Sequence, residues 1–307
     1  MERKRIIRTG KARKPKSFDL FSLFTFLLPG PWGALLLTGG LMLLQVTFAL
    51  VYAGLFGAGL IGRDAMLLLT YATSFAVLLI PCASISRANA FRQGGGIALN
   101  SGHFGKPGAL AFIPIGIAGM IGAAFALEPL SSLLEWMFPP SEAFREVLSG
   151  MAEGNIWLIS LQVCLLAPVM EELLCRGLIL RGLLQRMRPG WAILLSAFLF
   201  ALMHGNLWQG VPAMLLGALL GFVYYKTGSL LLTMLMHAAN NAFSLMLIKT
   251  PSYAAASDWT DILPLWGYVA LVVAGALLAA LLVWMLVRIP REHLRGNLDP
   301  VGIDSLF

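Results

Sequence analysis

The chain has few charged residues. Asp, Glu, Lys and Arg make up 12% of its 307 residues, whereas 58% are hydrophobic and the mean hydropathy is +0.80. A soluble domain carries about 25% charged residues, so this shortage excludes an ordinary soluble globular protein. The composition is typical of a protein that crosses a membrane several times.

Cysteine is also scarce, and the motifs of several common sites are missing. Cys82, Cys164 and Cys175 lie in or at the ends of apolar runs without metal-type spacing, so we interpret them as packing residues. The chain has no HExxH motif and no evident repeat. The glycine-rich stretch 92–108 has no flanking strand, which favours an inner loop over a phosphate site. The net charge of +7 includes no basic stripe with interleaved aromatics, so we expect contact with lipid head groups and no nucleic-acid binding.

Long apolar runs predict the membrane helices, because a crossing needs roughly 20 apolar residues. Two of the runs are shorter than that, so six to eight crossings fit the sequence, and we expect eight. The mixed apolar and charged segment 129–151 predicts a helix on the outer surface. The eight runs lie near 33–61, 65–86, 109–127, 156–180, 190–207, 211–225, 229–248 and 262–288.

The basic residues predict the orientation. The first 17 residues carry eight basic side chains against Glu2 alone, and alternate loops are basic while the loop before residue 156 is acidic. Basic loops stay on the cytoplasmic side, so we expect a multi-pass protein of the cytoplasmic membrane with both termini inside. Lys249 is the clear exception.

Polar residues inside apolar runs appear between about 156 and 248, which divides the chain into four regions. We predict a basic tail at 1–17, an N-terminal transmembrane region with an outer loop at 18–155, a catalytic core at 156–248, and a last helix with its tail at 249–307.

The fourth run contains the segment EELLCRG. Glu172 and Arg176 are four residues apart, in the order that favours an ion pair on one helix face. Glu171 is turned by about 100° from Glu172 and has no local partner, so it is a candidate general base or acid. Pro168 should kink the helix, free a carbonyl near Cys164 and open a pocket.

Two later runs each place a histidine inside the membrane. His204 shares a face with Phe200, and His237 shares a face with Asn241, while Asn240 is turned aside. A lone histidine on an apolar helix is more often a packing residue. Two histidines together with the acidic pair indicate a site, because buried polar clusters mark catalysis or transport pathways. His103 and His293 fall in a loop and a tail and receive no role.

Taken in order, Glu171-Glu172-x-x-x-Arg176, Phe200-x-x-x-His204 and His237-x-x-x-Asn241 resemble the CPBP family of intramembrane proteases, the CAAX prenyl endopeptidase and bacteriocin-processing group. The resemblance covers about residues 160–245. It implies an all-α membrane endopeptidase with its catalytic cavity among helices four to seven.

The resemblance also implies roles for these residues. Glu171 would activate the attacking water, His204 would position that water or transfer a proton, and Glu172 with Arg176 would hold the arrangement. His237 and Asn241 would donate hydrogen bonds to the oxyanion.

The resemblance leaves two versions of the mechanism open. Glu171, His204 and His237 could supply the ligands of an open Zn²⁺ site, or Glu and His could hold the water without a metal. The substrate could be a lipidated C-terminus, a leader peptide or a membrane-protein segment.

Two functions of other classes also fit the composition. A transporter could use the Glu and His cluster as a proton or cation relay, although such a relay predicts ionisable residues along a path to both faces. A non-catalytic membrane scaffold could keep the cluster for packing.

Overall fold

The computed structural model describes residues 23–93, 112–254, 256 and 259–289. Within these ranges the chain forms helices and no strand, which confirms the all-α prediction. The predicted basic tail, most of the loop 92–108 with His103, and the C-terminal tail with His293 lie outside the described residues. The helices are α1 (Pro31–Gly57), α2 (Arg63–Gln93), α3 (Phe112–Met137), α4 (Glu142–Glu153), α5 (Ile156–Leu184), α6 (Pro189–Leu202), α7 (Leu207–Thr227), α8 (Leu230–Lys249), α9 (Pro251–Ala254) and α10 (Leu265–Val287), with a 3₁₀ turn at Trp259–Asp261.

Seven of these helices are long and apolar enough to span a membrane, within the part of the chain that the structure describes. The shorter apolar helix α6 corresponds to the fifth of the eight predicted runs and lies outside this count, which rests on length and composition alone. Helix α6 has 14 residues, or about 21 Å at 1.5 Å per residue, against a hydrocarbon core of about 30 Å. It ends early because Gly205 adopts a φ of +67° and Asn206 caps the next helix. The chain is nevertheless a polytopic helical membrane protein.

The segment 129–151 is not one surface helix. Its first part continues α3 through Pro129 to Met137, and a separate amphipathic helix, α4, begins after Ser141, whose hydroxyl accepts from the Phe144 amide at 3.3 Å. Helix α4 is held at its end by Lys249, whose ammonium donates to the carbonyls of Ala152 at 2.9 Å and Gly154 at 2.7 Å. A cation there complements the negative end of the helix dipole. This contact explains why a lysine lies on the predicted outer side.

Helix α5 is the most enclosed element, since every residue from Glu172 to Leu184 is buried. It packs against helices α2, α6, α7 and α8. Its aliphatic side chains, Leu174 and Leu178 among them, form the main hydrophobic cluster with residues of α1, α2, α6 and α7. By contrast, most apolar side chains of α1 and α10 are exposed, as expected of helices that face lipid. This arrangement places the polar residues of α5 in the protein interior.

Helix α5 alternates between α-helical and π-helical turns. The stretches Leu161–Leu166 and Leu173–Leu180 are π-helical, on either side of the α-helical segment Ala167–Glu172. Short π-helical stretches often occur at functional sites, because the wider turn shifts the direction of neighbouring side chains. The two acidic residues lie directly before the second π-helical stretch.

Candidate functional site

The predicted ion pair between Glu172 and Arg176 is present and fully buried. Nη1 of Arg176 donates to Oε1 of Glu172 at 2.7 Å, and Nη2 donates to the carbonyl of Gly217 on α7, also at 2.7 Å. A buried charge is tolerated only when it is paired and hydrogen-bonded. The absence of a side chain at Gly217 matters here, because an added Cβ would lie 2.9 Å from Cδ1 of Phe200 and 3.2 Å from Nη2 of Arg176.

Glu172 also fixes the imidazole of His237 on α8. Nδ1 of His237 lies 3.0 Å from Oε1 of Glu172, and both side chains are buried. An ionised carboxylate can only accept hydrogen bonds, so this contact assigns the Nδ1 proton to His237. The other ring nitrogen, Nε2, is then directed away from Glu172 and is available to the site.

Glu171 lies on the other side of this imidazole. Its Oε2 is 3.8 Å from Nε2 of His237, and its Oε1 accepts a hydrogen bond from the hydroxyl of Tyr71 at 3.0 Å. The Glu171 side chain is 14% exposed and that of His237 is 7% exposed. The local prediction that Glu171 is unpaired holds within α5, but α2 and α8 both supply partners.

Phe200 lies between the arginine and the two histidines. Its ring is edge-to-face with His204, with centroids 5.0 Å apart, and with His237 at 5.7 Å, while the Arg176 guanidinium carbon lies 4.8 Å from the ring centroid. Contacts of this kind favour a fixed ring geometry. Phe200 therefore sets the distance between the imidazole of His204, which follows α6, and the imidazole of His237 on α8.

His204 lies in the turn that follows α6. Its Nδ1 is 3.0 Å from the Phe200 carbonyl, which can only accept, so Nδ1 carries a proton and Nε2 is free to act in the site. The amide of Asn206 donates to the His204 carbonyl at 2.9 Å, and its oxygen caps α7 by accepting from the Gln209 amide at 2.8 Å. Hydrogen bonds therefore fix both the backbone and the imidazole ring of His204.

Asn241 braces α5 in this structure. In the preceding π-helical turn the Ala167 amide bonds to the Gln162 carbonyl, so the next bond in that register would join residue 168 to Val163. Pro168 has no N–H, and Nδ2 of Asn241 donates to the Val163 carbonyl instead, at 2.9 Å. The predicted freed carbonyl thus exists, one residue from the expected position. The predicted oxyanion role of Asn241 stays a prediction.

A cavity of about 410 Å³ lies between the start of α5 and the end of α8. Its lining includes Ile156, Cys164, Leu245 and Met246, with Lys249 at its outer end. The cavity borders the turn in which Asn241 bonds to Val163. Its lining residues do not include Glu171, His204 or His237, so the cavity does not contain the site residues.

The predicted metal ligands do not assemble into a metal site. Among the described residues, no group of three or more His, Cys, Asp or Glu side chains could hold a metal ion. Glu171 and His237 face each other, and the contact between Glu172 and Nδ1 of His237 leaves Nε2 free, but no third side chain of these types completes the group. The residues as placed therefore do not fit a three-ligand Zn²⁺ site, and no step below uses a metal.

Sequence reasoning missed Tyr71 and the Gly217 carbonyl. Tyr71 is 100 residues from Glu171, and only the packing of α2 against α5 brings them together. One signal was available: Tyr71 lies well inside an apolar run, beside Thr70, Thr73 and Ser74, whereas membrane tyrosines are enriched at the interfaces.

The family model described as type II CAAX prenyl endopeptidase, Rce1-like, matches residues 153–243. The match spans α5, α6, α7 and most of α8 and includes Glu171, Arg176, His204 and His237, and it confirms the resemblance found in the motifs. No curated protein and no solved structure matches the chain.

Proposed function

We propose that this chain, whose site helices match the Rce1-like endopeptidases, hydrolyses a peptide bond of a lipidated or membrane-associated protein or peptide, with Glu171 activating the attacking water. One observation carries the proposal. The two neighbouring glutamates hold opposite nitrogens of the same imidazole, because Glu172 binds Nδ1 of His237 and Glu171 faces Nε2. This arrangement separates a buried carboxylate that orients the histidine from a less buried one that can take up a proton.

The reaction needs one proton to move twice. A water held between Oε2 of Glu171 and Nε2 of His237 would give its proton to Glu171 while its oxygen attacks the scissile carbonyl carbon. The resulting tetrahedral intermediate carries an oxyanion. Glu171 would then give the proton to the leaving nitrogen as the carbon–nitrogen bond breaks, which yields a carboxylic acid and an amine and restores the Glu171 carboxylate.

The remaining residues would act on the water and the oxyanion. Because Nδ1 of His204 donates to the Phe200 carbonyl, Nε2 is an acceptor that can orient the water or take up its proton. Arg176 holds Glu172 in place through the 2.7 Å contact, so that Glu172 continues to orient His237. Asn241 would reach the oxyanion if substrate binding releases it from the Val163 carbonyl.

The substrate class is also a proposal. The matching family model names prenylated CAAX proteins, and a prenylated substrate requires a host that prenylates. A leader peptide and a membrane-protein segment are the alternative substrates of the same proposed reaction. We propose that the protein acts in the cytoplasmic membrane with both termini inside, since the basic loops predict that orientation.

The experiment uses the purified full chain in detergent with a library of farnesylated C-terminal peptides and unmodified membrane-derived peptides, read by mass spectrometry. Wild-type protein should cut members of the library, and Glu171→Ala and His204→Ala should not. A parallel sample with a chelator tests the metal. Cleavage that survives the chelator supports the metal-free mechanism, and loss that Zn²⁺ restores contradicts it.

The control is Tyr225→Phe, which removes a hydroxyl from a half-buried tyrosine of α7 that packs against the main core cluster. It should cut as the wild type does. Identical products from wild type, Glu171→Ala and His204→Ala would refute the assigned roles. If no member is cut while the protein conducts protons in liposomes, the transporter function replaces the protease.

A further inference from the structure

Tyr71 lies outside the segment that matches the family model, yet it contacts the residue at the centre of the proposed reaction. Its hydroxyl donates to Oε1 of Glu171 at 3.0 Å. Its ring packs against Phe75, one turn later in α2, with centroids 4.8 Å apart, and Phe75 is 1% exposed. The ring is therefore held on one side by a buried aromatic residue while its hydroxyl points to α5.

The contact makes the two oxygens of Glu171 different. The terminal torsion of a glutamate is broad, so an unrestrained carboxylate rotates easily. With Oε1 bound to Tyr71, Oε2 is the oxygen that faces Nε2 of His237, at 3.8 Å. The hydroxyl thereby selects the orientation in which Glu171 meets the orienting histidine.

We propose that Tyr71 is a positioning residue for Glu171, which it holds with Oε2 directed at His237 and at the water between them. This inference rests on the proposed function, because the orientation matters only if Glu171 is the base. Tyr71 acts through Glu171 and is given no contact with the substrate.

The position of Tyr71 supports this role over simple packing. Tyr71 is half-buried; a tyrosine hydroxyl turned into the protein usually finds a hydrogen-bond partner, and an apolar ring of the same shape would fill the space without that requirement. The hydroxyl is directed at a carboxylate, and hydrogen bonds to charged groups are stronger than those between neutral groups. Helix α2 therefore supplies part of the active site, and a segment limited to residues 153–243 would lack this contact.

A positioning role predicts a specific kinetic effect. Tyr71→Phe keeps the ring and its contact with Phe75 but removes the hydroxyl, so Glu171 can rotate away from the reactive orientation. Losing a hydrogen bond to a charged group should lower kcat by about tenfold to hundredfold. The value of KM should change by less than about twofold, because Tyr71 does not contact the substrate.

The test compares wild type, Tyr71→Phe and Tyr225→Phe on the library peptide that the wild type cuts fastest. Thermal unfolding in the same detergent gives the folded fraction of each protein. We expect kcat per folded protein to fall in Tyr71→Phe with KM retained, and Tyr225→Phe to match the wild type.

Three outcomes would overturn the inference, and they are distinguishable. Unchanged kcat in Tyr71→Phe, while the wild type cleaves and Glu171→Ala does not, refutes the role of Tyr71 and leaves the proposed function intact. If a smaller folded fraction explains the whole loss of activity in Tyr71→Phe, Tyr71 is a packing residue and not a positioning residue. If the wild type cuts no peptide, the proposed function fails and this inference fails with it.

Discussion

His237 is bound to Glu172 through Nδ1 at 3.0 Å, so the orientation of its other nitrogen is decided by a residue that is itself 0% exposed. Because Glu172 is in turn paired with Arg176 at 2.7 Å, the three side chains form one chain of contacts from α5 to α8. A substitution at Arg176 or Glu172 should therefore change the orientation of the His237 imidazole.

Arg176→Met should destabilise the protein strongly. It leaves the Glu172 carboxylate buried without its cation, and removing one partner of a buried pair costs about 3–5 kcal/mol. The measurement is the unfolding midpoint in detergent at a fixed heating rate. The matched control is Arg188→Met, since Arg188 is exposed and its replacement should leave the midpoint unchanged. Equal midpoints for the two variants would contradict the buried pair.

Gly217→Ala should disturb the site through steric contact. The new methyl group would lie 2.9 Å from Cδ1 of Phe200 and 3.2 Å from Nη2 of Arg176, so the ring or the guanidinium must move. We expect a destabilisation of about 1–3 kcal/mol together with a loss of cleavage. Gly39→Ala, in α1, is the control because a Cβ there meets nothing within 4 Å. If both variants behave alike, the close approach at Gly217 is not required.

Asn241 and Pro168 should be energetically coupled. Asn241→Ala removes the donor to the Val163 carbonyl, which should cost about 1–3 kcal/mol for a group left unsatisfied. In a Pro168→Ala background the restored backbone N–H can serve that carbonyl, so the same substitution should cost less. A double-mutant cycle of unfolding midpoints measures the difference. Additive effects would show that Asn241 does not replace the missing backbone donor.

Lys249→Met should loosen α4 without changing the site. The ammonium donates to the carbonyls of Ala152 and Gly154 at the end of that helix, and a cation at a helix C-terminus contributes about 0.3–1 kcal/mol. Hydrogen exchange should become faster in residues 142–155 and stay unchanged in α7. Lys249→Arg, which keeps the charge, is the control. Unchanged exchange in α4 would remove this explanation for the lysine.

The features that depend on one helix were predictable from the sequence. The Glu172–Arg176 pair follows from a spacing of four residues, and the freed carbonyl follows from Pro168. The features that depend on packing between distant helices were not. Tyr71 reaches Glu171 across 100 residues, and Arg176 reaches a backbone carbonyl of α7, which no side-chain pattern indicates.

Two differences in the helices have local causes that the apolar pattern conceals. The predicted fifth span reaches residue 207, but the helix ends at Leu202, and Gly205 adopts a positive φ in the turn that follows. The π-helical turns of α5 shift the register of its hydrogen bonds, which moves the freed carbonyl from near Cys164 to Val163. Periodicity assumes a regular α-helix and cannot predict such a shift.

The central claim is that Glu171 activates water for peptide hydrolysis, and one comparison of rates tests it most directly. Glu171→Gln keeps the size of the side chain and an oxygen that can accept from Tyr71, but it cannot take up the proton of the water. On the library peptide that the wild type cuts fastest, kcat should fall by about 10²- to 10⁴-fold while the unfolding midpoint stays close to that of the wild type. Cleavage by a folded Glu171→Gln protein at the wild-type rate would contradict the claim.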